Sequence, residues 1–163
     1  MTSQARSGPA AVVVLVVFLG LAYAAAGLGT LLQGGDVGAT YLELDRPPWA
    51  PPSWLFGPVW TVLYALIGVA GWLMWRRGPT PEARLALALW AAQLVVNALW
   101  PGTFFGLGAL GWALVVILAL DALVVAAVIA AGRVQRIAAA LLVPYLAWIL
   151  FATALNASIW WRA

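Results

Sequence analysis

The sequence contains no cysteine, histidine or lysine, and charged residues make up only 8% of its 163 positions. All eight cationic side chains are arginine. These absences exclude disulfides, zinc clusters, histidine-dependent catalytic triads, axial-histidine haem ligation and lysine Schiff bases. No metal site is therefore expected, and cysteine usage gives no information about the redox compartment.

What the chain has instead is apolar residues, which account for 66% of it and give a mean hydropathy of +1.02. A soluble domain is nearer half apolar and a quarter charged, so a soluble globular protein is excluded. One bilayer crossing needs about 20 apolar residues, so the whole chain, 1–163, forms a single small membrane domain. Only eight arginines and five acids carry charge, which gives little support for nucleic-acid binding.

Long uncharged stretches predict five transmembrane helices at about 10–32, 54–75, 85–105, 110–131 and 137–160, with residues 33–53 as a loop. The runs are continuously apolar and lack the alternation of barrel strands, so we expect an all-α, five-helix integral membrane bundle. The first run also resembles a signal peptide around Ala22-Tyr23-Ala24. Its apolar character continues through Leu32, which favours an uncleaved helix.

Arginine placement predicts the orientation of this bundle. Six arginines fall on the side of the N-terminus and of the second and fourth loops, namely Arg6, Arg76, Arg77, Arg84, Arg133 and Arg136. Only Arg46 and Arg162 fall on the other side, so the N-terminus is predicted to be cytoplasmic. The absence of lysine in an Ala-, Arg- and Gly-rich chain favours a bacterial source, and helical spans favour the cytoplasmic membrane.

Eleven tryptophans are unusual in a chain of this length. Trp54, Trp75, Trp160 and Trp161 lie near predicted span ends, where an aromatic belt explains them. Four others fall inside spans or at their mouths on the side of the 33–53 loop: Trp60, Trp100, Trp112 and Trp148. Such rings face lipid, a neighbouring helix or a flat ligand.

The 33–53 loop ends in a proline-rich segment, Arg46-Pro47-Pro48-Trp49-Ala50-Pro51-Pro52. Its four prolines remove amide donors and keep the chain extended, which predicts a stiff strap that holds Trp49 in a defined place. Two interpretations are equally supported by these residues. The strap is either a lid over the bundle or a simple stop before the second helix.

Few polar groups lie inside the spans. Gln93 and Asn97 are four residues apart, hence on one helical face, with Trp100 three residues further on. They serve either as interhelical hydrogen-bonding groups or as part of a ligand site. Asp121 is the one acid deep in a span, which raises the hypothesis of a proton relay or a cation site.

Several motifs in order resemble one known family, the TspO/MBR family of translocator proteins and tryptophan-rich sensory proteins. They cover about residues 41 to 161: Pro47-Pro48-Trp49-Ala50-Pro51-Pro52, Phe56-Gly57-Pro58-Val59-Trp60-Thr61 with Leu63-Tyr64, Gln93-Leu94 with Asn97 and Trp100, Phe104-Phe105-Gly106, Gly111-Trp112, Val143-Pro144-Tyr145 with Trp148, and Phe151-Ala152-Thr153 with Leu155-Asn156. Many motifs at compatible spacing make this resemblance specific.

The resemblance implies a five-helix bundle, commonly a homodimer, with a ligand cavity capped by the loop after the first helix. It implies binding of tetrapyrroles such as protoporphyrin IX or haem, and of benzodiazepine-type ligands, with no required cofactor. Carried over by motif, Trp60 and Trp148 match the tryptophans linked to porphyrin photodegradation. The positions that line or cover the cavity are Tyr41, Trp49, Phe56, Asn97, Trp100, Trp112 and Ala152, and Arg46 is the candidate partner of a propionate.

Three functions follow as hypotheses. The first is a membrane receptor or regulator that binds a tetrapyrrole or another flat hydrophobic molecule and also translocates it. The alternative is an enzyme that degrades porphyrin with light and oxygen, through electron donation from Trp60 and Trp148. A proton-coupled exporter built on Asp121 ranks last, because no second deep acid or inverted repeat is visible.

Overall fold

The computed structural model describes residues 8–163, and Arg6 of the orientation argument lies outside them. Within this range the chain forms six α-helices and no β-strand: α1 (Pro9–Gln33), α2 (Val37–Glu43), α3 (Phe56–Trp75), α4 (Pro81–Pro101), α5 (Leu110–Val134) and α6 (Arg136–Arg162). A single 3₁₀ turn, Ser53–Leu55, leads into α3, and a π-helical segment, Gly102–Gly106, continues α4. Five of these helical stretches are long and apolar enough to cross a bilayer, which confirms an all-α integral membrane bundle.

Local chemistry fixes where the helices begin. Thr80 caps α4, its hydroxyl accepting a hydrogen bond from the Ala83 amide, and Pro81 occupies the first turn, where its missing N–H is harmless. The predicted start at residue 85 was therefore four residues late. The charged residues at 82 and 84 interrupt the apolar run and so suggest a loop, but they lie in the solvent-exposed first turns of α4.

The loop 33–53 contains a helix that the sequence pattern did not predict. The Asp36 carboxylate accepts hydrogen bonds from the amides of Gly38 and Ala39 at 2.9 and 3.2 Å, and so begins α2. With only seven residues, α2 is too short to produce a helical period of apolar positions. Capping and the packing of one aromatic side chain, Tyr41, hold it in place.

Around the bundle the neighbours run α1, α3, α6, α5, α4 and back to α1. Small residues allow the tightest approaches: a Cβ placed on Gly68 would lie 3.0 Å from the Cα of Leu19, and one on Gly71 would lie 2.7 Å from the rings of Phe18 and Trp90. The main apolar core fills the end of the bundle that is distant from α2, around Ile67, Met74 and other buried residues. A smaller cluster around Tyr41 and Phe104 closes the α2 end.

Candidate functional site: an aromatic cavity beneath a short helix

A cavity of about 360 Å³ lies between the two apolar clusters, and all five long helices contribute to its wall. This volume is within the range of small-molecule sites. Of the residues predicted for the site, seven line it: Tyr41, Phe56, Trp60, Asn97, Trp100, Trp148 and Ala152. The structure therefore brings residues from α2, α3, α4 and α6 around one space, although they are far apart in sequence.

Aromatic rings form two sides of this cavity. Trp60 stacks on Tyr64 with centroids 5.3 Å apart and planes inclined by 29°. Trp148 meets Phe56 edge to face at 6.0 Å and lies 5.5 Å from Phe151. Each of these rings is positioned by an aromatic neighbour, so the wall is assembled before any ligand arrives.

The floor of the cavity is held by a directed chain of hydrogen bonds. The Tyr64 hydroxyl donates to Oδ1 of Asn97, the Asn97 Nδ2 donates to the Tyr145 hydroxyl at 3.0 Å, and that hydroxyl donates to Oε1 of Gln93 at 2.7 Å. All four residues are buried. The chain joins α3, α4 and α6, which supports the interhelical role of Gln93 and Asn97.

A second amide near the lid end is engaged in the same way. Asn156 accepts a hydrogen bond from the Trp100 indole at 3.1 Å and donates one to the Leu110 carbonyl at 3.0 Å. Since Asn97 and Asn156 are already paired with protein groups, these two amides offer little unused hydrogen-bonding capacity. None of the described residues in the wall carries a formal charge. The site therefore presents a largely apolar surface to a ligand, and the polar side chains of its described wall are uncharged.

The lid is built around Tyr41, which is 1% exposed. Its hydroxyl donates to the Pro51 carbonyl at 2.9 Å, and its ring meets Phe56 edge to face at 5.1 Å. The Arg46 guanidinium lies over the same ring, 4.7 Å from the centroid. Burial raises the pKa of the Tyr41 phenol, and the adjacent Arg46 opposes that rise only partly. The proline-rich strap thus anchors α2 over the cavity.

Three predicted site residues do not line the cavity. Trp49 is 50% exposed and packs its ring against Phe151 at 5.8 Å, so the strap delivers it to the outside of the wall. Arg46 lies against the ring of Tyr41 and is absent from the wall. Trp112 is 71% exposed on α5, because Ala113 and Ile117 occupy the inward face of that helix.

Several wall residues were missed by the sequence interpretation. One group comes from α1, whose wall residues include Tyr23, Ala26, Thr30 and Gln33. Their spacing of three and four residues is the signal of one helical face, and it is hidden by the uniform apolarity of the rest of α1. Asp121, in contrast, lies outside the wall: its Oδ2 accepts a hydrogen bond from the Thr153 hydroxyl at 2.8 Å between α5 and α6.

A bundle of five membrane-crossing helices around a lidded, uncharged aromatic cavity defines a membrane protein built to hold a small hydrophobic molecule. The model of the TspO/MBR family matches residues 12–162. The chain is 43% identical over 135 residues to the translocator protein of Homo sapiens, covering 82% of this chain and 80% of that one. It is 40% identical over 132 residues to the tryptophan-rich protein TspO of Archaeoglobus fulgidus, with 81% and 85% covered. It is 37% identical over 139 residues to the tryptophan-rich sensory protein of Cereibacter sphaeroides, with 85% and 84% covered. The chain belongs to the TspO/MBR family.

Proposed function

We propose that the protein is a membrane receptor or regulator whose cavity binds a flat tetrapyrrole, protoporphyrin IX or haem, and also accepts benzodiazepine-type ligands. The observation that carries this proposal is the wall itself, with rings on two sides, no formal charge, and the amides of Asn97 and Asn156 paired within the protein. Such a surface favours a ligand with large apolar faces and few buried polar atoms. Movement of the ligand across or along the membrane is part of the same proposal.

Affinity on this account comes from ring burial, at about 25 cal/mol per Å² of apolar surface before the ordering costs of binding. The propionates of a tetrapyrrole are not stabilised inside an uncharged wall, because a buried carboxylate needs a cation or hydrogen-bond donors beside it. They therefore stay at the lid, where Arg46 is the one cation of the 33–53 segment. The iron of haem finds no sulfur ligand in the wall, since Met74 is fully buried in the main core.

The proposal is tested by filling the cavity. Ala152 lines the wall, and Ala154, two residues further along α6, is exposed and outside it. Titration of detergent-solubilised protein with protoporphyrin IX in the dark should give saturable one-site tryptophan quenching in the wild type and in Ala154→Leu. Ala152→Leu should bind much more weakly while melting at a similar temperature. Linear, unsaturable quenching of the wild type would mean that the porphyrin only partitions into micelles.

A second function, photo-oxidative degradation of the porphyrin, is favoured by the presence of both Trp60 and Trp148 in the wall. One electron passes from an indole to the light-excited porphyrin, giving an indole radical cation and a porphyrin radical anion. The radical anion adds dioxygen, and the adduct returns the electron to the indole, so the indole is restored and dioxygen is the net oxidant that opens the ring. This chemistry needs no poised acid or base, which agrees with the uncharged wall. Illumination in air should bleach the porphyrin bands with wild type and not with Trp60→Phe/Trp148→Phe, and equal bleaching by both would exclude this activity.

We further propose a homodimer in a bacterial cytoplasmic membrane with the N-terminus in the cytoplasm. The arginine distribution supports the orientation: five arginines of the described range lie at the α3–α4 and α5–α6 junctions, and two lie at the opposite end. Because the chain has no native cysteine, single cysteines at Arg84 and Arg162 can be labelled with an impermeant thiol reagent in intact cells. Labelling at 162 and protection at 84 is expected, and the reverse would invert the topology. Crosslinking in membranes tests the dimer.

A further inference from the structure

Helix α1 changes partner halfway along its length. Its first half is held tightly against α3: the Trp72 indole donates to the Ala11 carbonyl at 2.8 Å, and Leu19 and Phe18 pack onto Gly68 and Gly71. Its second half packs instead on α4 and the π-helical segment. A Cβ on Gly29 would lie 3.3 Å from Pro101, and one on Gly102 would lie 2.8 Å from Leu32.

Because the second half of α1 packs on α4 instead of α3, the gap between α1 and α3 widens toward the lid end. We call this gap the wedge; its sides are Tyr23 to Gln33 of α1 and Gly57 to Thr61 of α3. Tyr23 lies at the narrow end of this wedge, where its hydroxyl bridges to the Thr61 carbonyl at 2.7 Å. From Tyr23 to Gln33 is ten residues, or about 15 Å of helix rise. That is about half of the hydrocarbon thickness of a bilayer, so a wedge of this length fits within one leaflet.

The residues on the two sides of this wedge belong to the cavity wall and are exposed at the same time. Thr30 on α1 and Gly57 and Thr61 on α3 combine both properties, and Tyr23 is 41% exposed. A Cβ placed on Gly57 would meet no heavy atom of the described residues within 4 Å. A side that is both wall and outer surface is an opening, and this one lies between two helices that are long and apolar enough to cross a bilayer.

We infer that the wedge between α1 and α3 is the mouth of the cavity, through which an apolar tetrapyrrole passes laterally between one leaflet of the bilayer and its site. The inference deepens the proposed function and rests on it for the identity of the ligand. A flat amphiphile enters ring first from the acyl region while its carboxylates remain near the headgroups. The lid stays closed during exchange, with Tyr41 bonded to Pro51.

The test blocks the mouth without straining the fold. Gly57→Leu places a side chain in open space at the wedge. Gly27→Leu is the matched control, because Gly27 is also helical, exposed and free of neighbours within 4 Å, yet lies outside the wall. Both variants and the wild type are reconstituted in nanodiscs, and stopped-flow quenching by protoporphyrin IX in the dark gives the association and dissociation rates.

We expect Gly57→Leu to slow dissociation as well as association several-fold, and Gly27→Leu to match the wild type. The sign of the dissociation change is decisive, because damage to the binding surface accelerates dissociation whereas a blocked route retards it. Faster or unchanged dissociation in Gly57→Leu would overturn the inference. So would a large acceleration of exchange in Tyr41→Phe together with no slowing in Gly57→Leu, since that pattern assigns the route to the lid.

A second measurement does not depend on porphyrin binding, so it separates failure of the mouth from failure of the proposed function. A nitroxide spin label is attached at Gly57→Cys in the otherwise cysteine-free chain. Its relaxation should be enhanced by oxygen dissolved in the bilayer and little affected by a water-soluble nickel chelate. The opposite pattern would show that the wedge is filled with water, and the lateral route would be wrong even if the cavity binds porphyrin.

Discussion

The substitution Tyr145→Phe removes one hydroxyl and tests how much the hydrogen-bond chain beneath the cavity contributes to the stability of the bundle. Tyr145 is fully buried, and its hydroxyl both accepts from Asn97 and donates to Gln93. The substitution therefore deprives two buried amides of a partner at once. The effect is largest at Gln93, because its Oε1 loses the bond from Tyr145 and its Nε2 already has no hydrogen-bond partner among the described residues.

The expected cost follows from the number of bonds lost. Interhelical hydrogen bonds in membrane proteins contribute about 0.6 kcal/mol on average and about 1.7 kcal/mol at most, so two of them amount to about 1 to 3 kcal/mol. Tyr64→Phe removes only the bond to Asn97 and should cost about half as much. For a protein of this size, 1 kcal/mol corresponds to a melting-temperature change of about 2 to 4 °C.

The assay is equilibrium unfolding in mixed micelles, with the SDS fraction as denaturant, supported by thermal melts of the same samples. The chain of bonds predicts the order wild type, Tyr64→Phe, Tyr145→Phe from most to least stable. A Tyr145→Phe protein as stable as Tyr64→Phe would refute the reasoning, because it would mean that the two amides gain nothing from the hydroxyl between them.

Three further predictions concern the lid and the outer tryptophan. Arg46→Gln should weaken binding of protoporphyrin IX in the quenching titration but leave its dimethyl ester unaffected, whereas equal loss for both would mean that Arg46 acts only by packing on Tyr41. The raised pKa of Tyr41 favours the neutral phenol in the closed lid, so this part of lid stability is complete below pH 10 and is lost as the pH rises through the raised pKa. Proteinase K should therefore cut the 34–52 segment faster above pH 10 in the wild type, with no such step in Tyr41→Phe. Trp112→Leu should leave the porphyrin dissociation constant unchanged, because Trp112 faces outward, and a marked loss of affinity would place a ligand outside the cavity.

The helices were largely predictable because each is a long apolar run between charges, the strongest pattern that a membrane protein offers. The ends of the helices were harder to predict, because the start of α4 at Pro81 depends on the Thr80 cap rather than on hydropathy. The seven-residue α2 escaped prediction altogether, since capping by Asp36 and the burial of Tyr41 hold it rather than a period of its own.

Most of the predicted site residues are carried over by motif from the family resemblance, and seven of the ten line the cavity. Trp60 and Trp148 belong to such motifs and line the cavity. Trp112 also comes from a motif, Gly111-Trp112, yet it faces outward, and hydropathy does not tell the inward face of α5 from its lipid face, because both are apolar. Because α1 is apolar on all faces, its sequence likewise does not indicate which residues, such as Tyr23, line the wall.

The most direct test of the central claim is a structure of the protein determined with protoporphyrin IX bound in the dark. We predict the macrocycle between Trp60 and Trp148, above the Asn97 network, with its carboxylates toward the lid and Arg46. A macrocycle seated instead on the outer surface, for example in the shallow groove beside Trp112 and Trp160, would contradict the account and leave the cavity without its proposed ligand.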